Sequence, residues 1–109
     1  MIALIDDNRE TIIALCEQFG VQRLAVFGSA VKGTFDPETS DLDFVVEFED
    51  YGRGIAKRFI YFANALEALL DRSVDLVFES RMSDAEFRKN VLDTMEIMFD
   101  GGRRKQEVA

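Results

Sequence analysis

The chain has 109 residues, 48% of them apolar and ten of them phenylalanine, enough for one modest core and no second domain. Its net charge of −8 argues against free duplex nucleic acid as a partner, because such binding needs a basic surface. Histidine is absent, which excludes histidine bases and histidine metal ligands, and no apolar stretch approaches the length of a membrane span.

The opening Met1-Ile2-Ala3-Leu4-Ile5 meets Asp6-Asp7 at once and does not read as a signal peptide. Asp7 or Asn8 is placed to cap a helix running to about Phe19, with Ile12, Ile13, Leu15, Cys16 and Phe19 as its apolar stripe and Gly20 as its stop. Cys16, the single cysteine, has no internal partner and is expected to pack as a small hydrophobe. These features favour a cytoplasmic setting.

Leu24, Ala25, Val26 and Phe27 then form an apolar run that reads as a buried strand ending at Gly28. The run Gly28-Ser29-Ala30-Val31-Lys32-Gly33 follows as a glycine-bounded turn. Residues 33–40 make a polar loop with the only proline, Pro37, and lead into Ser40-Asp41-Leu42-Asp43. Leu42, Phe44, Val45, Val46 and Phe48 form a second strand. Alternate residues share a strand face, so Asp41 and Asp43 point the same way. The loop returns the second strand beside the first, bringing Gly28-Ser29 and both aspartates to one end.

Phosphates need backbone N–H donors at close approach, and small residues permit it. Divalent metals such as magnesium need hard oxygen ligands, which carboxylates supply. Alone, a Gly-Ser after a strand is usually a turn and an Asp-x-Asp usually a solvated edge. Together, each flanked by a strand, they suit a nucleoside triphosphate held with its metal. That combination points to nucleotidyl transfer.

Asp50 to Gly54 is a polar link, and residues 55–70 read as the longest helix. Ile55, Phe59, Phe62, Leu66, Leu69 and Leu70 fall on one face. Ile60, Tyr61, Ala65 and Ala68 lie off that face, consistent either with broader burial or with a partner surface. Asp71-Arg72 turns into Val74-Asp75-Leu76-Val77-Phe78, a third strand. The apolar residues on both sides of Asp75 suit a strand covered on both faces, where a carboxylate needs a metal or a hydrogen-bonding partner. Ser83-Asp84-Ala85-Glu86 matches a capping box for a last helix continued by Phe87 and Val91. Residues 95–99 either extend that helix or alternate as a short strand. Gly101-Gly102 ends the domain, read as residues 1–100, and 101–109 reads as a flexible tail containing Arg103-Arg104-Lys105.

Gly28-Ser29, Gly33 and Ser40-Asp41-x-Asp43 resemble the signature of the DNA polymerase beta-like nucleotidyltransferase superfamily. Length and spacing resemble its minimal (MNT) branch, over roughly residues 5–99. The resemblance implies an α/β (α+β) fold, a small mixed sheet of three to four strands flanked by helices, with residues 95–99 as a strand. It implies a third carboxylate, supplied by Asp75, and a site in which Asp41, Asp43 and Asp75 are catalytic and hold two magnesium ions. ATP is then the nucleotide donor, held by Gly28, Ser29, Lys32, Gly33 and Ser40. Members often carry arginine at the position of Lys32, which keeps the cation but not its fork. The branch is often encoded beside a helical HEPN-type RNase toxin, and its enzymes place AMP on a tyrosine of that partner. Two other readings stay open: an antitoxin that acts by binding alone, and a small-molecule nucleotidyltransferase, for which the chain has no acceptor-binding domain.

Overall fold

The computed structural model describes residues 2–36, 38–52 and 54–101. Pro37 and the basic tail, including Gly102 and Arg103-Arg104-Lys105, lie outside the described residues. Strands β1 (Val21–Phe27), β2 (Leu42–Phe48), β3 (Val74–Phe78) and β4 (Glu96–Asp100) form one sheet in the order β3-β2-β1-β4. β1 runs antiparallel to β2 and β4, whereas β2 and β3 are parallel. The sheet is mixed and the class is α+β, in line with the expected architecture.

A parallel neighbour needs a crossover, and helix α4 (Ile55–Leu70) supplies it between β2 and β3. Phe62, Leu66 and Leu70 of α4 are buried on its inward stripe. Ile12 and Cys16 of α2 (Arg9–Gln18) are buried with them, against Leu24, Val26, Phe44 and Val46 of the sheet. Burial pushes the Cys16 thiol up to about 12, so it stays protonated and behaves as an apolar side chain. The opposite sheet face carries a smaller cluster, in which Ala25 and Val45 meet Val91 of α5 (Ala85–Thr94), with Phe27, Val77, Met82 and Met95 around them. One face is thus fully covered and the other covered by a single helix.

Several sequence expectations shift. β1 begins at Val21, because Val21 pairs with Phe48 across an irregularity that the polar Gln22 and Arg23 disguise in the sequence. A short helix, α1 (Ala3–Asp6), precedes α2. Asn8 stands at the N-cap position of α2, yet its side-chain amide donates to the Leu4 carbonyl (2.8 Å), closing α1 instead of capping α2. Asp84, not Ser83, caps α5: its carboxylate accepts the Phe87 amide at 2.9 Å. Residues 96–100 form a strand, since they pair with β1 and complete its second edge. Asp75 is exposed, so the expectation of a strand covered on both faces fails. β3 is an edge strand with one well-buried residue, Leu76, and the charge at position 75 faces water. Gly101 is buried, with the Gln22 carbonyl and the Phe99 ring against it.

On α4, Ile60 and Tyr61 are 53% and 56% exposed, so broader burial does not explain them. Phe62, fully buried, packs its ring against Phe19 and Phe48, with centroids 5.8 and 6.2 Å away. Replacing a buried Phe by Ala typically costs about 3–5 kcal/mol. Denaturant unfolding of Phe62→Ala is expected to show that loss, whereas exposed Ile60→Ala stays within about 0.5 kcal/mol of the parent.

Candidate active site

β1 ends at Phe27, and Gly28 turns the chain with φ 77° and ψ −145°, a conformation that disfavours any residue with a Cβ. A Cβ at Gly28 would lie 2.3 Å from the Asp43 Oδ2, inside any permitted contact. The missing side chain therefore lets the Asp43 carboxylate sit directly over the turn. Pairing of Phe27 with Asp43 in the β1–β2 ladder fixes that approach.

The turn continues as one helical turn, α3 (Ser29–Lys32), in which Val31 and Lys32 donate to the Gly28 carbonyl at 3.1 and 3.0 Å. The amides of Ser29 and Ala30 precede the first carbonyl this turn can offer them, as at any helix start. Ser29 is half-buried and Lys32 exposed at the end of the turn. Gly33 closes it in the left-handed region at φ 80°, and the Thr34 amide bonds back to the Ser29 carbonyl at 3.2 Å. Nothing crowds a Cβ at Gly33, so glycine serves the backbone conformation there.

Asp43 also pairs with Asp75 across the parallel β2–β3 ladder, and paired residues share a face. Asp43 and Asp75 thus stand side by side at one level of the sheet. Burial pushes the Asp43 carboxyl above its ordinary value, and the charges of Asp75 and then Asp41 push it further. Asp41 lies just outside β2, whose ladder opens with the Leu42 amide donating to the Ser73 carbonyl at 3.1 Å. The two aspartates are therefore not held alike, although both act electrostatically on one locus.

Ser40 fastens the preceding loop. Its hydroxyl accepts the Asp36 amide at 2.9 Å, and its own amide donates to the Asp36 carbonyl at 2.9 Å. No bond from Ser40 to a carboxylate is seen among the described residues, and no three acidic side chains there already converge as a ligand set. The donor set is nevertheless all hard oxygen, and its central member carries an uncompensated penalty for being charged. Both properties fit a magnesium ion.

Arg72 was read from the sequence only as a turn residue. It donates from Nη1 to the Ser40 carbonyl at 3.0 Å, and its guanidinium lies 5.0 Å from the Phe35 ring centroid. A single arginine after a helix carries no periodic signal, so sequence reasoning had no means of singling it out.

Residues 9–98 match the nucleotidyltransferase domain family. The protein adenylyltransferase MntA of Thermococcus cleftensis is 44% identical over 68 residues, which span 62% of this chain and 66% of that relative, just under two thirds of its length. A solved structure assigned as a minimal nucleotidyltransferase superposes with a TM-score of 0.73 at 34% identity, over 87% of this chain and 95% of the other. A chain from a toxin–antitoxin crystal structure with AMP-PNP superposes with a TM-score of 0.66 at 26% identity, over 91% and 78%.

The Gly28 contact gives one expectation. In Gly28→Ala the new methyl displaces the Asp43 carboxylate, so magnesium–ATP binding, followed by calorimetry, falls well below that of the parent. The Asp43 carboxyl gives a second. Its folded value is raised, so stability is fully present below the ordinary carboxylate value and is lost as pH rises through the raised one. With chelator at pH 7, Asp43→Asn is expected to melt at or above the parent temperature. That advantage shrinks below about pH 4, where both forms are neutral. A variant less stable than the parent at pH 7 refutes the repulsion.

Proposed function

The chain belongs to the nucleotidyltransferase domain family, and on that premise we propose that it is a magnesium-dependent protein adenylyltransferase that silences a helical HEPN-type toxin. The observation that carries this reading is the approach of Asp43 to the Gly28 turn. A phosphate-compatible turn and an acidic pair meet at one point, where either alone would be unremarkable. Relatives support the choice of substrate: one is a protein adenylyltransferase, and another comes from a toxin–antitoxin complex with a nucleotide analogue.

In this reading the amides after Gly28 and the Ser29 hydroxyl bind the triphosphate, with Lys32 adding positive charge and Gly33 and Ser40 fixing the turn and loop. Asp41, Asp43 and Asp75 hold two magnesium ions, which when bound offset phosphate charge and stabilise the attacking and leaving oxygens. The acceptor hydroxyl oxygen bonds to the α-phosphorus as the bond to the β-phosphate bridging oxygen breaks. AMP becomes esterified to the acceptor and pyrophosphate leaves. Asp75, exposed at the sheet edge, takes the proton from the acceptor hydroxyl. With no histidine in the chain, carboxylates are the ready proton acceptors at this site.

The acidic side chains sit at one end of a sheet face covered by a single helix. Such an open site suits a macromolecule that brings its own hydroxyl and closes the pocket itself. A protein fits better than duplex nucleic acid, given the net charge of −8. The exposed Ile60 and Tyr61 on α4 offer apolar area for docking. One buried thiol suits a reducing compartment, the cytoplasm.

Incubation with ATP, magnesium and a helical HEPN-type toxin is expected to raise that toxin's intact mass by one or more AMP groups on a hydroxyl side chain. Asp41→Asn abolishes the gain and leaves the complex intact. If the partner gains no mass, and parent and Asp41→Asn neutralise its toxicity equally, the catalytic reading fails and binding alone accounts for silencing.

A further inference from the structure

The three carboxylates are not equally anchored. Asp43 is held from both sides, by Phe27 in one ladder and Asp75 in the other. Asp75 sits within β3. Asp41 has neither support: it is exposed and precedes the first ladder residue, Leu42. It joins the anchored Leu42 on one side and the 35–40 loop on the other.

We propose that Arg72, from the turn between α4 and β3, is the positioning residue for Asp41 and so sets the geometry of the acidic site. This inference rests on the nucleotidyl-transfer reading above. Three observations meet on the one guanidinium. Nη1 donates to the carbonyl of Ser40, the residue directly before Asp41. The guanidinium carbon lies 5.0 Å from the centroid of the Phe35 ring, within cation–π range, and Phe35 itself packs against the main core. The Asp36 carboxyl is held below its ordinary value first by the amide of Glu38, with the charge of Arg72 a smaller cause. Arg72 thereby grips both ends of the 35–40 loop, while Ser40 Oγ closes it internally.

The anchor is also in the right register. Ser73, the next residue, accepts the Leu42 amide, and Asp75 follows two positions later. One turn therefore fixes the loop bearing Asp41 and the strand bearing Asp75 relative to each other. Lysine would keep the charge but lose the rigid, forked arrangement of N–H donors. Partners that orient ligands typically matter about 10–100-fold in metal affinity or activity.

The test uses the full chain. Amide hydrogen exchange without metal reports loop order, and calorimetry with magnesium–ATP reports site geometry. In Arg72→Gln, exchange at residues 38–42 is expected to speed up at least about tenfold while the Leu24 and Val26 amides in the sheet centre keep parental protection. The magnesium–ATP Kd is expected to rise about 10–100-fold. Arg72→Lys is expected to melt close to the parent, with a Kd between the two. Parental Kd in Arg72→Gln, or acceleration spread equally to Leu24 and Val26, overturns the positioning role. If Arg72→Gln does not fold, a parental Kd in Arg72→Lys overturns it. If the parent itself binds no magnesium–ATP, the nucleotidyl-transfer reading fails, and the exchange data alone decide whether Arg72 orders the loop.

Discussion

The approach of the Asp43 carboxylate to the Gly28 α-carbon is the constraint around which the rest of the site is arranged. It requires a residue without a Cβ, in a φ region other residues avoid, directly after β1. It requires β2 to pair so that Phe27 faces Asp43, which sets the register of the sheet centre. On the nucleotidyl-transfer reading proposed above, the same absence of side chain would leave the backbone open to a phosphate and let the carboxylate alongside hold a cation, so that one missing methyl would serve both halves of the chemistry.

The division of labour between sheet faces follows. Helices α1, α2 and α4 bury one alternate set of strand residues, Leu24, Val26, Phe44 and Val46, and most of the buried apolar residues belong to that cluster. The alternate set carries Asp43 and Asp75 toward one end and small apolar residues in the middle, where α5 covers them. Further along this side, the Arg23 guanidinium bonds the carboxylate of Glu79, which follows β3, tying the end of the edge strand to β1. The larger apolar core lies on one side, and Asp43 and Asp75 lie at one end of the other, beside the Gly28 turn.

Much of this was legible in the sequence because it rests on local signals. The β1 apolar run, the glycine turn, the Asp-x-Asp spacing and the α4 stripe each follow from side-chain periodicity or backbone permissiveness. What escaped depends on which residues become neighbours. Asp75 lies amid apolar residues and so resembled a covered position, but sheet order alone decides whether a strand lies at the centre or the edge. Gln22 and Arg23 hid the start of β1, since their place in the ladder depends on Phe48 and Glu47. Arg72 and Ser40 lie far apart in the chain, and no composition rule links them. The capping-box pattern puts Ser83 at the cap, whereas Asp84 is the residue that reaches the Phe87 amide.

β3 has five residues, a neighbour on one side only, and an open cleft of about 380 Å3 beside Leu76, Val77 and Phe78. Segments with few buried contacts open at lower free energy than the core around them. Asp43 stands on a central strand and Gly28 directly follows one, whereas Asp75 is borne by the edge strand, so a local opening of β3 alone would separate Asp75 from them. On the adenylyl-transfer reading proposed above, a protein surface added to that edge would hold Asp75 in place without touching a reacting atom.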